Sequence, residues 1–174
     1  SWEINDNNSI KFNIKLSLNS IFLLVGKSGF GKTTLINMFA GLLAQKNSNW
    51  ILKYNNNFYN FSGNETNRFL TNNIAYSTQN PYLFEGTLRE NILLSKLSTL
   101  NKSQIKKMEL KIFWWFRLLE LEYLINRFGN ILDLELGKIL DSFSKGEIKR
   151  IGLIRTWMMD KPIEILDEPT AFLD

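Results

Sequence analysis

The chain has 174 residues, of which 44% are apolar, enough for one buried core and ordinary for a globular domain. No apolar run approaches the ~20 residues that span a bilayer; without cysteine there are no disulfides or thiolate metal sites, and without histidine any proton acceptor is expected to be a carboxylate. The formal net charge of +4 is carried by lysines spread along the chain rather than by one block. Residues 10–18 alternate, with Ile10, Phe12, Ile14, Leu16 and Leu18 on one face and Lys11, Asn13, Lys15 and Ser17 on the other. This pattern predicts a half-buried antiparallel strand, closed by a turn at Asn19-Ser20. The apolar run Ile21-Phe22-Leu23-Leu24-Val25 predicts a buried parallel strand, and a helix is expected from Thr33 to Leu43. Residues 50–54 and 58–61 read as a hairpin around Asn55-Asn56-Asn57. Ile74-Ala75-Tyr76-Ser77 reads as a short strand, ending near Gln79 and broken by Asn80-Pro81.

The middle of the chain is helical in pattern. A short helix is expected over Thr87 to Leu94, and a longer one from Ser103 through Leu119. In the second, Lys102, Lys106, Lys107 and Lys111 interleave with Ile105, Met108 and Ile112, which fits a solvated helix face better than a nucleic-acid patch. Trp114-Trp115-Phe116 reads as core or interface packing. Ser144 and Glu147 have capping-box spacing for a helix running to about Met159, which Pro162 stops. Ile163-Glu164-Ile165-Leu166 is expected as a strand ending in Asp167-Glu168. Strands alternating with helices argue for a parallel α/β core. The block between Gln79 and Ser144 reads as an insertion beside it.

Between the apolar run and the first helix stands Gly26-Lys27-Ser28-Gly29-Phe30-Gly31-Lys32-Thr33, which fits G-x-x-x-x-G-K-[ST]. Glycines let a backbone curl around an anion, and their N–H groups join those of the helix N-terminus in a nest of partial positive charge. Lys32 is expected on the β- and γ-phosphates of a bound nucleotide, and the Thr33 hydroxyl on Mg²⁺. Thr34 completes the binding stretch.

The order of segments carries more than any one motif. The glycine loop, the strand ending at Gln79, Phe143-Ser144-Lys145-Gly146-Glu147 opening a helix, then Ile165-Leu166-Asp167-Glu168-Pro169-Thr170 and Leu173-Asp174 together resemble the nucleotide-binding domain of ATP-binding cassette (ABC) transporters over nearly the whole chain. The resemblance implies an α/β fold with a P-loop NTPase core of mainly parallel sheet and flanking helices, an antiparallel β subdomain and an inserted helical subdomain. It divides one domain, 1–174, into a core of about 1–79 and 151–174 and a helical subdomain of about 80–150. It implies an ATPase using ATP and Mg²⁺. Asp167 would hold the metal with Thr33 and Gln79, Glu168 would be the general base, and Gln79 would sense the γ-phosphate. Trp2 lies where the family places an adenine-stacking aromatic, and simple packing is the equal alternative. Leu173-Asp174 resembles the D-loop, which touches the opposite subunit.

Leu83-Phe84-Glu85-Gly86-Thr87-Leu88-Arg89-Glu90-Asn91-Ile92 resembles the stretch that faces the transmembrane domain in exporter-type cassettes. The implied partners are therefore a second nucleotide-binding domain and a transmembrane domain, with no nucleic acid, at the cytoplasmic face of a membrane. Two departures stand out. Lys145 replaces a glycine of the family's signature Leu-Ser-Gly-Gly-Gln; its charge would help bind the partner's phosphate, or its bulk would hold the domains apart. The family's switch histidine has no counterpart before Asp174, which fits a chain cut after the D-loop. A regulatory nucleotide-binding module of an asymmetric heterodimer, and a soluble ABC ATPase, are the alternatives.

Overall fold

The computed structural model describes residues 2–4, 10–12, 17, 19–27, 29–43, 49–54 and 57–171. Two compact units divide the chain, residues 1–32 and 33–174. In the first, strand β1 (Trp2–Ile4) pairs antiparallel with β2 (Ile10–Phe12), in the register Trp2 to Phe12 and Ile4 to Ile10. The strand expected over 10–18 is seen only as far as Phe12. Residues 13–16 and 18 lie outside the described residues, and Ser17 is not in a strand. Asn19 turns the chain with φ +54°.

The run 21–25 departs from expectation. It forms no strand, and Ile21, Leu23 and Val25 are 101%, 84% and 79% exposed. Apolar composition favours burial, but a strand exists only where a neighbour completes its ladder. Among the described residues no strand pairs with this run.

Helix α1 (Lys32–Phe39), all but its first residue in the second unit, is shorter than the expected Thr33–Leu43 and buries Leu35. The hairpin forms as the sequence predicts: β3 (Asn49–Tyr54) pairs with β4 (Asn57–Ser62), closing at Tyr54 and Asn57. Helix α2 (Gly63–Asn73) follows, and its Phe69 stacks on Phe61 with ring centroids 4.4 Å apart. The strand expected at 74–77 is β5 (Ile74–Ser77); it pairs in parallel with β6 (Ile163–Leu166), Ser77 lying opposite Leu166. The crossover between them holds α3 (Leu88–Leu93), α4 (Lys102–Leu118), α5 (Tyr123–Phe128) and α6 (Lys145–Met158).

Three of these helices begin with a reciprocal capping box: Thr87 with Glu90, Asn101 with Gln104, and Ser144 with Glu147. Each satisfies two main-chain donors that a helix start leaves open. The core lies here, where α3, α4 and α6 enclose Leu88, Ile92, Ile112, Phe116, Ile151 and Ile154. Phe116 is fully buried and Trp115 stacks on Trp157 at 4.2 Å, so these two serve packing, whereas Trp114 is exposed and meets Trp115 edge-on. Lys102, Lys106, Lys107 and Lys111 face solvent, as their spacing predicts. Among the described residues no helix is long and apolar enough to cross a membrane.

Candidate functional site

The glycine loop closes on itself. Gly29 and Gly31 have φ of +81° and +77°, the left-handed conformation that disfavours a side chain. Phe30 N–H turns back to the Lys27 carbonyl at 3.4 Å. The Lys32 ammonium donates to the Gly26 and Lys27 carbonyls at 2.7 and 2.8 Å. Those bonds hold the lysine against the loop it belongs to. Ser28 lies outside the described residues, and of Trp2 only the backbone is described. Thr33 and Thr34 are exposed in the first turn of α1.

In the second unit a carboxylate turn forms where the parallel pair ends. Asp167 N–H extends the ladder by donating to the Ser77 carbonyl at 2.9 Å. Ser77 and Leu166 are opposite each other, so the residues that follow them emerge side by side. The Gln79 amide thereby donates to Glu168 Oε2 at 2.6 Å, across a sequence separation of 89 residues. Glu168 sits at φ +46°, and its carbonyl accepts from Ala171 N–H, forming a tight turn. The Tyr76 hydroxyl reaches Asp167 Oδ2 at 3.3 Å. Burial, then the charge and hydrogen bond of Asp167, push this phenol up to about 12, so it stays a donor. Leu173 and Asp174 lie outside the described residues.

The Ser144 segment is committed to its helix. The Ser144 hydroxyl accepts from Glu147 N–H at 3.1 Å, and Ser144 N–H donates to the Glu147 carboxylate. Glu147 is buried and also accepts from the Tyr123 hydroxyl, with Arg127 3.9 Å away. Ser144 and Lys145 are exposed, and Gly146 is half-buried.

Residues 82–92 are clamped to α6. The fully buried Asn91 amide bonds both main-chain groups of Phe84 at 2.9 Å. Arg155 donates Nε to the Asn91 carbonyl and Nη1 to the Tyr82 carbonyl, both at 2.7 Å. A short bridge between Thr87 and Glu135 closes the other side.

Of the residues singled out in the sequence, the second unit brings Gln79, Asp167 and Glu168 to one turn. Ser144, Lys145, Gly146 and Glu147 cluster at the start of α6. Sequence reasoning missed Tyr76, Asn91, Lys149 and Arg155. Tyr76 and Asn91 lay inside segments already noted, and a polar residue at an inward register position was the available signal.

The parallel pair and the helices around it define an α/β protein, and the glycine loop fits a phosphate-binding pattern. The ABC transporter family profile matches residues 10–171. The ATP-dependent lipid A-core flippase of Wigglesworthia glossinidia brevipalpis is 33% identical over 171 residues, covering 97% of this chain and 27% of that protein. The flippase of the same name from Escherichia coli (strain K12) is 29% identical over 166 residues, covering 93% of this chain and 26% of that one. The solved structure of a bacterial Atm1-family ABC exporter with ATP bound superposes with a TM-score of 0.59 at 21% identity, over 85% of this chain and 24% of that one, and shows a shared fold. The chain belongs to the ABC transporter family. It spans about a quarter of the length of these relatives.

Proposed function

We propose that the chain is the ATP-binding and ATP-hydrolysing domain of an exporter-type ABC transporter. The single observation that carries this reading is the Gln79–Glu168 contact at 2.6 Å beside Asp167, at the C-terminal ends of two parallel strands. Ligands of α/β proteins bind at that edge. The relatives' printed names, ATP-dependent flippase and ABC exporter, support the same reading.

In this reading the amides of Gly26, Lys27, Ser28, Gly29, Phe30 and Gly31, with Thr34, grip the polyphosphate of ATP. The two loop carbonyls use two N–H groups of Lys32, and the third meets a phosphate oxygen. Thr33, Gln79 and Asp167 offer hydroxyl, amide and carboxylate oxygens, the hard donor set that suits Mg²⁺. Mg²⁺ held by these residues would supply positive charge to offset that of the nucleotide's phosphates. Glu168 accepts a proton from the attacking water, and Gln79 holds Glu168 in place until substrate arrives. Positioning and charge stabilisation do most of the catalysis.

The finer architecture belongs to the same proposal. The core takes about 1–79 and 151–174, with an antiparallel β subdomain, and about 80–150 forms the helical subdomain. Two such domains close on ATP, Ser144 and Lys145 facing the partner's phosphate and Leu173-Asp174 the opposite subunit, while Trp2 stacks on adenine. Leu83 to Ile92, within the clamped segment, meets the transmembrane domain at the cytoplasmic face of the membrane.

The test is Mg²⁺-dependent ATP hydrolysis by the full-length transporter. Glu168→Gln is expected to lower turnover by roughly 10²–10⁴-fold while ATP binding persists and the closed dimer accumulates. An unchanged rate removes Glu168 from the role. Wild-type turnover near zero with intact binding favours the regulatory module, for which the exposed Lys145 is the motive.

A further inference from the structure

The proposed function leaves Lys149 without a task. It lies on α6, and only 1% of its surface is exposed. Lysines are almost never that deep unless the charge is met. Here three main-chain carbonyls meet it: Nζ donates to Thr78 at 2.9 Å, Gln79 at 3.0 Å and Asp167 at 2.9 Å. An ammonium carries three N–H donors and no acceptor, so the carbonyls saturate it.

The location of these carbonyls gives the residue its meaning. Thr78 and Gln79 continue from β5, and Asp167 continues from β6. The sheet ladder between the two strands ends with the bond from Asp167 N–H to Ser77. Past that bond the ladder gives no further main-chain bond to fix the spacing of the two ends among the described residues. Lys149 bridges both strands at that point. Its own helix is the one that Ser144 caps.

We propose that Lys149 is a positioning residue for ATP hydrolysis: its ammonium fixes the main chain at Gln79 and Asp167, and so sets how Gln79, Asp167 and Glu168 stand to one another. The inference rests on the ATPase reading given above. It also makes α6 a mechanical link, because any shift of the helix that begins at Ser144 is felt at both strand ends.

The side chain's chemistry selects the variants. Lys149→Gln keeps two donors and Lys149→Met keeps none, and both side chains end one atom short of Nζ. In the full-length transporter, kcat is expected to fall about ten- to a hundredfold in Lys149→Met, the scale of a small misplacement of reacting groups. The KM for MgATP should stay within about threefold, because the loss falls on the transition state. Lys149→Gln should lie between wild type and Lys149→Met. Wild-type kcat in either variant overturns the proposal, as does a loss of kcat only in proportion to folded protein. If Lys149→Met does not fold, Lys149→Gln alone decides by the same criterion. Hydrogen exchange without nucleotide separates this inference from the functional reading. Faster exchange in Lys149→Gln at amides 78–80 and 167–169 supports the tether, and unchanged exchange there overturns it. A wild-type transporter without MgATPase activity overturns the functional reading instead.

Discussion

Glu168 occupies the left-handed region at φ +46°, which costs a non-glycine residue about 1–2 kcal/mol. A turn in that conformation needs outside restraint, and the Gln79 amide is the side-chain contact that supplies it. On the proposed ATPase reading, Gln79→Ala is therefore expected to reduce turnover about tenfold or more, the size of loss that displacing the proposed base Glu168 would give, with ATP binding kept; steady-state kinetics of the full-length protein would show it. Glu147 carries a pH dependence. Burial pushes its carboxyl up, but the Tyr123 hydroxyl, Ser144 N–H and hydroxyl, and the Arg127 charge together hold it below its ordinary value of 4.5. A depressed folded pKa gives stability that is present above the unfolded value and is lost as pH falls through the folded one. The stability advantage of wild type over Glu147→Gln should thus hold at neutral pH and fade as pH falls below 4.5, as urea titrations at stepped pH would reveal. At this scale the sequence was partly legible. Asp167, Glu168 and Gln79 could be found because the order of segments resembles the family's and each follows a strand; Lys149 could not, because a lysine in a helix is expected to face water.

Helix α6 concentrates the attachments of the fold: the Ser144 cap at its start, Lys149, then Gly152, then Arg155. A Cβ on Gly152 would stand 2.5 and 2.6 Å from Cβ and Cγ of Pro81, a rigid ring two residues beyond Gln79. Gly152→Ala should cost about 1–3 kcal/mol by overpacking and slow hydrolysis by moving the Gln79 segment. Denaturant unfolding and turnover measured on the same sample check both. The elements with strong local signals were readable: the hairpin, β5, β6, α3, α4 and the capped start of α6. Helix α2 escaped because its inward positions are few and one is polar: Thr66 and Leu70 are buried, and Phe69 is half-buried. Residues 21–25 misled for the opposite reason. Five apolar residues in a row state a preference for burial, but nothing in them names a ladder partner.

Across the molecule, the order of segments revealed the family where individual residues did not. The glycine loop, Gln79, Ser144 and Asp167-Glu168 are far apart in sequence, and their order stayed visible although Lys145 departs from the pattern. The spatial clamp on residues 82–92 was not visible, because Arg155 acts on carbonyls 64 and 73 residues away. Burial lowers the affinity of Arg155 for its proton, so the side chain keeps its charge against a solvation cost. Arg155→Met should destabilise the domain by about 1.5–3 kcal/mol. It should also lower the amount of substrate moved per ATP consumed, if residues 83–92 meet the transmembrane domain; transport and hydrolysis assayed together in proteoliposomes give that ratio. The bare run at 21–25 has a practical consequence for handling. A short stretch rich in β-formers, with neither charge nor proline, has the makeup of segments that stack into fibrils. Solutions of this chain by itself should turn turbid as concentration rises, and one gatekeeper charge, Leu23→Lys, should keep them clear.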